Sequence, residues 1–242
     1  MTTYMDVPSG SGLGTSSTLV VSVLGAFVEW LKLPLGEYDI AQLAYEIERI
    51  DLKMSGGKQD QYAATFGGVN FMEFYADDKV IVNPLRIKQE TILELQNNLV
   101  LFYTNTSRES SKIIETQAQN ASQKREKPIQ AMHEVKAQAF MMKEALLKNE
   151  LQVIGSILDK SWENKKKMAQ GITNDLIDTI YQTAISNGST GGKISGAGGG
   201  GFMIFYCEKN TRYDVIKALE SAGGKVSHYQ FSKIGLTAWT TY

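Results

Sequence analysis

Seven of the eleven residues from Gly191 to Gly201 are glycine, and an apolar run, Phe202–Cys207, follows at once. Each ordered glycine costs more backbone entropy than any other residue, so a plain helix-to-strand corner would use far fewer. The excess favours a loop that must be approached closely, by a ligand or by another loop. A second glycine loop stands near the start, Pro8-Ser-Gly-Ser-Gly-Leu-Gly-Thr-Ser-Ser17, and leads into an apolar helical stretch that should stop near Leu33-Pro34-Leu35-Gly36. Gly10, Gly12 and Gly14 allow positive φ and close approach. Thr15, Ser16 and Ser17, good N-cap types, open a helix whose free N–H groups and dipole favour phosphate, and a serine hydroxyl there suits Mg2+. Helix punctuation is the plainer alternative, but this run carries more glycine and hydroxyl than a cap requires.

Neither loop fits the commonest nucleotide patterns. A Walker A loop needs Lys directly before Ser or Thr, and Gly191-Gly-Lys193-Ile194 fails in both spacing and final hydroxyl. In Gly10-Ser-Gly12-Leu-Gly14 the third glycine falls one place early for a dinucleotide fingerprint. Between the loops, Glu48 and Asp60 supply two carboxylates twelve residues apart, Asp60 within Gly57-Lys-Gln-Asp-Gln61. Phosphoryl transfer uses such a pair, one to hold Mg2+ and one to accept the acceptor hydroxyl's proton. A solvent-exposed pair of acids is the alternative.

The rest of the chain bounds the class. Its 242 residues suffice for one large domain or two modest ones, and 43% hydrophobic with 21% charged residues is ordinary for a globular protein. A formal net charge of −1 argues against nucleic acid as a partner. The one local basic run, Lys165–Lys167, reads as a solvated helix face. The single cysteine, Cys207, rules out an internal disulfide, suits a reducing cytoplasm and should be buried and inert. His133 and His228 lack metal-ligand spacing. No stretch is long enough for a membrane anchor, and Leu19–Trp30 lacks the basic flank of a signal peptide.

Secondary-structure signals predict an α+β chain. Asp39 should cap a second helix, a short helix should end at Thr65, and strands should cover 69–75, 80–85 and 98–103. Residues 109–188 read as three or four helices broken near Pro128, Asn149 and Gly171, with Met141 and Met142 as core filler. A strand at 202–207, a helix at 212–222 and strands at 225–231 and 234–240 complete the expectation.

The three segments, in this order, resemble the GHMP kinases (galactokinase, homoserine kinase, mevalonate kinase and phosphomevalonate kinase). Pro8-x-x-x-Gly12-Leu-Gly-Thr-Ser16-Ser17 looks like that family's ATP-phosphate loop, Gly57-Lys-Gln-Asp60-Gln61 like its catalytic-aspartate loop, and Lys193-Ile-Ser-Gly196-Ala-Gly198-Gly-Gly200 like its C-terminal glycine motif. The resemblance implies ATP and Mg2+, with Gly10, Gly12, Leu13, Gly14, Thr15, Ser16 and Ser17 cradling the phosphates and Ser16 with Glu48 holding the metal. Asp60 would be the base, and Gly196, Ala197 and Gly198 would close over the site. Ser55-Gly-Gly-Lys-Gln-Asp-Gln-Tyr-Ala-Ala64, then Phe66-Gly-Gly-Val-Asn-Phe71, Leu101-Phe-Tyr-Thr104 and Ser107-Arg108, are most similar to the branch acting on heptose 7-phosphate at its anomeric hydroxyl. Lys58 or Arg108 would then meet the sugar's phosphate, each having a surface ion pair as its plainer reading.

The implied fold is two-lobed α+β, an ATP-binding lobe over 1–95 and a ferredoxin-like lobe with added helices over 96–242. Relatives carry a longer segment ahead of the phosphate loop, whereas Met1 stands seven residues before Pro8, so a truncated N-terminal lobe is expected. The sheet edge this leaves would invite a second copy, a homodimer. A fucokinase- or galactokinase-like specificity, and a nucleotide- or sugar-binding protein without turnover, are the other readings.

Overall fold

The computed structural model describes residues 1–8, 10–106 and 110–241. Its contacts divide the chain into two units, one of Met1–Ser9, Gly14–Leu85 and Phe231–Tyr242, the other of Gly10–Leu13 and Arg86–Gln230. Among the described residues, no helix is long and apolar enough to cross a membrane.

The first unit is built on three helices and a hairpin. Helix α1 (Thr15–Leu31) ends at Lys32, whose left-handed backbone (φ 52°) donates its N–H to the Val28 carbonyl. Its N-cap is not a hydroxyl residue, as expected, but Gly14 at φ 71°, with no side-chain cap. The Ser16 hydroxyl has a different partner, which matters below. Helix α2 (Glu37–Glu46) starts after Gly36, and the Asp39 carboxylate accepts the Gly36 N–H at 2.9 Å. Asp39 therefore sits inside the first turn rather than at the cap. Helix α3 (Gln59–Phe66) is followed by the antiparallel hairpin β1 (Asn70–Phe74) and β2 (Val80–Pro84).

Val21 on α1 packs with Ile40 and Ala44 on α2, while Ala41, Tyr62 and Val82 join α2, α3 and β2. The C-terminal segment is not the strand expected over 234–240. Its backbone instead meets the end of α3, with the Leu236 N–H on the Thr65 carbonyl at 3.0 Å and the Gly68 N–H on the Ser232 carbonyl at 2.9 Å. Leu236 then covers α1 at Gly25, where a Cβ would lie 2.4 Å from its side chain.

The second unit is a four-stranded antiparallel sheet with helices. Strands β3 (Leu99–Tyr103), β4 (Ser189–Ile194), β5 (Phe202–Cys207) and β6 (Lys225–Ser227) lie in the order β4-β5-β3-β6. That is the ferredoxin-like order, with β3 and β5 in the middle. Helix α4 (Gln89–Asn98) enters the sheet. Helices α5 (Ser110–Ser122), α6 (Glu126–Lys148), α7 (Ile154–Lys166) and α8 (Asp175–Ser186) form the crossover, and α9 (Arg212–Ser221) joins β5 to β6.

Pro128 does not break the crossover. It occupies the first turn of α6, where a missing N–H costs nothing. The break falls at Lys124, whose φ is 53°. Met141 is 48% exposed rather than core. Trp162, Tyr181 and Phe205 stack through the core, with centroids 6.3 and 6.1 Å apart. Cys207 is fully buried, and that burial pushes its thiol up to about 12.

The loop expected over Gly191–Gly201 loses its first four residues to a strand, although glycine is depleted in strands. They belong to β4 because α7 lies directly on them. A Cβ on Gly191 would come within 1.9 Å of the Gly155 carbonyl oxygen.

Candidate active site

The polar centre of the first unit begins where α2 loosens. Residues Ile47–Asp51 form a π-helical turn, and the Leu52 N–H reaches back to the Ile47 carbonyl at 2.9 Å. Such widened turns re-aim side chains. Here the turn carries Glu48 inward until it is 0% exposed. Its carboxylate is held on both oxygens: the Ser16 hydroxyl donates to Oε1 at 2.5 Å and the Gln61 amide donates to Oε2 at 2.5 Å. A buried carboxylate must be satisfied in this way. The next residue, Arg49, places Nη2 4.0 Å from Glu48 Oε2 and donates from Nε to the Gly57 carbonyl at 3.3 Å.

Asp60 sits in the first turn of α3 and packs onto the chain at Gly14. A Cβ added to Gly14 would stand 3.0 Å from the Asp60 carboxyl carbon, and Gly14 has φ 71°. No other residue meets both demands. Burial raises the Asp60 pKa above the usual aspartate value, the Arg49 guanidinium opposes that rise, and the Glu48 charge adds to it. The structure thus gathers Gly14, Ser16, Glu48 and Asp60, with Ser17 buried beside them on α1. Since no side chain caps α1, its first N–H groups remain available to a ligand.

Among the described residues, no cluster of three or more His, Cys, Asp or Glu could hold a metal alone. Ser16 Oγ and Glu48 nevertheless form a pair of hard oxygen donors, the set that suits Mg2+ shared with a nucleotide's phosphates.

The glycine loops make a second assembly, within the other unit. Gly12 and Gly196, at φ 80° and 67°, touch so closely that a Cβ on Gly12 would meet the Ser195 carbonyl at 2.9 Å, and one on Gly196 the Gly12 Cα at 2.9 Å. Ser195 Oγ donates to the Gly12 carbonyl at 3.0 Å, and the Phe202 N–H donates to the Ser11 carbonyl at 3.0 Å. The second loop therefore spends part of its glycine on the first, one of the two outcomes expected of it. Gly198 turns the other way, against Ile172. The Gly201 carbonyl accepts both the N–H and the hydroxyl of Thr104. Gly10, Leu13 and Ala197 complete the two loops.

Lys58 is ion-paired with Asp78 at 2.6 Å and lies 4.6 Å over the Tyr45 ring. Arg108 lies outside the described residues. Three residues of these assemblies were given no role by the sequence reading. Gln61, which orients Glu48, directly follows Asp60 within the quoted motif. Arg49 adjoins Glu48. Lys193 lies in the glycine motif itself.

Lys165 is the clearest correction. Read as part of a solvated run, it is half-buried and donates to the Gly196 carbonyl. Its helical phase was the available signal, since Ser161 and Trp162 lie four and three residues before it and both are buried.

Comparison with known proteins agrees with this architecture. The family described as GHMP kinases N terminal domain matches residues 1–68, and GHMP kinases C terminal matches residues 142–225. The chain is 53% identical to a D-glycero-alpha-D-manno-heptose 7-phosphate kinase of Campylobacter jejuni, over 98% of its own length and 69% of that protein's. It is 30% identical to the L-fucokinase/L-fucose-1-P guanylyltransferase of Bacteroides fragilis, over 81% of this chain and 21% of that one. A D-glycero-D-manno-heptose 1-phosphate kinase structure from Bacteroides thetaiotaomicron superposes with a TM-score of 0.80 at 44% identity, over 99% of this chain and 67% of that one. With its glycine loops, its carboxylate pair and these matches in agreement, the chain belongs to the GHMP kinases.

Proposed function

We propose that this chain transfers the γ-phosphoryl group of ATP to a heptose phosphate, with the anomeric hydroxyl of heptose 7-phosphate as acceptor. The observation that carries the chemistry is Asp60, its carboxyl packed against Gly14 in the same unit as the Ser16–Glu48–Gln61 network. The 53% identity to a heptose 7-phosphate kinase supports the acceptor.

Each residue has a defined task in this reading. The uncapped start of α1 presents N–H groups and the positive end of its dipole to the phosphates. Ser16 and Glu48 would hold Mg2+, which neutralises charge on the phosphoryl oxygens when bound. Gln61 fixes the Glu48 carboxylate, so that one oxygen stays aimed at Ser16. Asp60 accepts the acceptor hydroxyl's proton on a carboxylate oxygen. Desolvation makes it a stronger base than a solvated aspartate, and the Arg49 guanidinium opposes that rise. Catalysis is mainly positioning and electrostatics, as phosphoryl transfer requires.

The test is Mg2+- and ATP-dependent ADP release with D-glycero-D-manno-heptose 7-phosphate, the 1-phosphate, L-fucose and galactose offered separately. Turnover with the 7-phosphate is expected. Turnover with the 1-phosphate alone would move the acceptor site to the other end of the sugar. Turnover with fucose alone, which the similarity to a fucokinase favours as second reading, would sink the heptose assignment.

A further inference from the structure

We propose that Lys165 and Lys193 form an anion subsite beneath the second glycine loop and bind phosphoryl oxygens of a substrate. The inference rests on the phosphate-transfer reading above and lies wholly within the second unit.

Lys165 is on the last turn of α7 and Lys193 is on β4, the strand that α7 covers. Lys165 Nζ donates to the Gly196 carbonyl, and Lys193 Nζ lies 3.5 Å from Ser161 Oγ, one helical turn before Lys165. Each ammonium carries three donors. Among the described residues each has one acceptor, and neither makes an ion pair with a carboxylate. The nearby acids are engaged elsewhere: Asp159 accepts the Tyr181 hydroxyl at 2.5 Å, and Glu163 pairs with Lys166 at 2.6 Å.

Two half-buried ammonium groups that repel each other, with no carboxylate partner among the described residues, are costly in any fold. Burial and the Lys193 charge together depress the Lys165 pKa to about 7, and burial depresses that of Lys193. An arriving phosphate removes that cost. It supplies the missing negative charge, accepts several N–H bonds, and favours the charged form of both amines. The Gly196 carbonyl holds Lys165 at the loop's edge, where Gly196 itself is exposed. An internal structural role would have paired these lysines with an acid.

Two sources offer the same oxyanion: a phosphate of the nucleotide, or the sugar's own non-reacting phosphate. Titration calorimetry with MgADP and, separately, with heptose 7-phosphate on the chain, Lys165→Met and Lys193→Met distinguishes them. One ligand should bind about ten- to a hundredfold more weakly to each variant while the other is unchanged. A loss confined to MgADP assigns the nucleotide, and a loss confined to the heptose phosphate assigns the sugar.

Lys165→Arg should keep part of the affinity that Lys165→Met loses. The ligand-free melting temperature of Lys165→Met should equal or exceed that of the unsubstituted chain, since a buried charge is gone. A lower melting temperature with both affinities intact would show a purely structural role and overturn the proposal.

Should the unsubstituted chain bind neither ligand, pyrophosphate is the probe. Thermal stabilisation by pyrophosphate that disappears in Lys165→Met upholds the subsite, and none in the unsubstituted chain sinks it. These are binding readouts, so a chain that shows the loss yet transfers no phosphate refutes the kinase reading and leaves the subsite standing.

Discussion

Glu48 in the first unit and the Lys165–Lys193 pair in the second handle buried charge in opposite ways. The Glu48 carboxylate is fully buried, and both its oxygens accept hydrogen bonds from Ser16 and Gln61. The two lysines are half-buried and, among the described residues, have only a carbonyl and a hydroxyl as partners. A satisfied charge rigidifies the turn that carries it, whereas an unsatisfied one stores a cost that a ligand can release. The difference separates a prearranged carboxylate turn from a lysine pair that, in the subsite proposed above, would be completed by what binds there.

Substitution can break this contrast. The largest expected effect is on Asp60. Asp60→Asn should lower turnover about a hundred- to ten-thousandfold while nucleotide affinity, read by calorimetry, stays nearly unchanged. Unaltered turnover would remove Asp60 as the base. Next is Gly191→Ala, which pushes a methyl toward the Gly155 carbonyl oxygen 1.9 Å away. Urea unfolding should show a loss of about 1–3 kcal/mol, because α7 must lift from β4. Phosphate binding by the lysines should weaken with it, since one is carried by each element.

Glu48→Gln keeps the shape of the π-helical turn and removes its charge. The metal concentration needed for half-maximal turnover should rise about tenfold, with the fold retained. Unchanged metal dependence would take Glu48 out of the metal site.

The smallest effect is in pH. In the unfolded chain Lys165 titrates near 10.5, and in the folded one at about 7. Between those values the unfolded state binds more protons, so this group makes stability rise with pH, and its penalty is greatest below pH 7. The melting-temperature difference between the native chain and Lys165→Met should therefore narrow from pH 7 toward 10.5. A constant gap would mean that Lys165 is not desolvated. Cys207 acts in the opposite sense: its folded pKa of about 12 lies above the ordinary 9.0, so stability falls as pH rises above 9.0.

Much of this was legible in the sequence, for particular reasons. Helix α1 follows from a mainly apolar run closed by Leu33-Pro34, and β5 from six apolar residues after glycine. The π-helical turn at Glu48 left no trace, because nothing in Ile47-Glu-Arg-Ile-Asp51 departs from ordinary helical sequence. β4 was hidden by its own glycines, of which Gly191 makes room for α7 and Gly192 for Phe205 on β5 rather than for a turn. The segment 234–240 has alternating character but no strand beside it to complete a ladder.

The sequence alone determined the chemistry available: two glycine loops, a hydroxyl-rich helix start, Glu48 and Asp60, and the order in which they occur. Those properties depend on residue type and local spacing, which one chain carries by itself. Tertiary structure alone decided which groups lose their water. Glu48 is buried because α2 loosens at that turn, the Asp60 carboxyl packs against Gly14 because that residue has no Cβ, and Lys165 is half-buried because α7 lies on a glycine-rich strand. Desolvation is set by what packs over a group, and those neighbours come from distant parts of the chain.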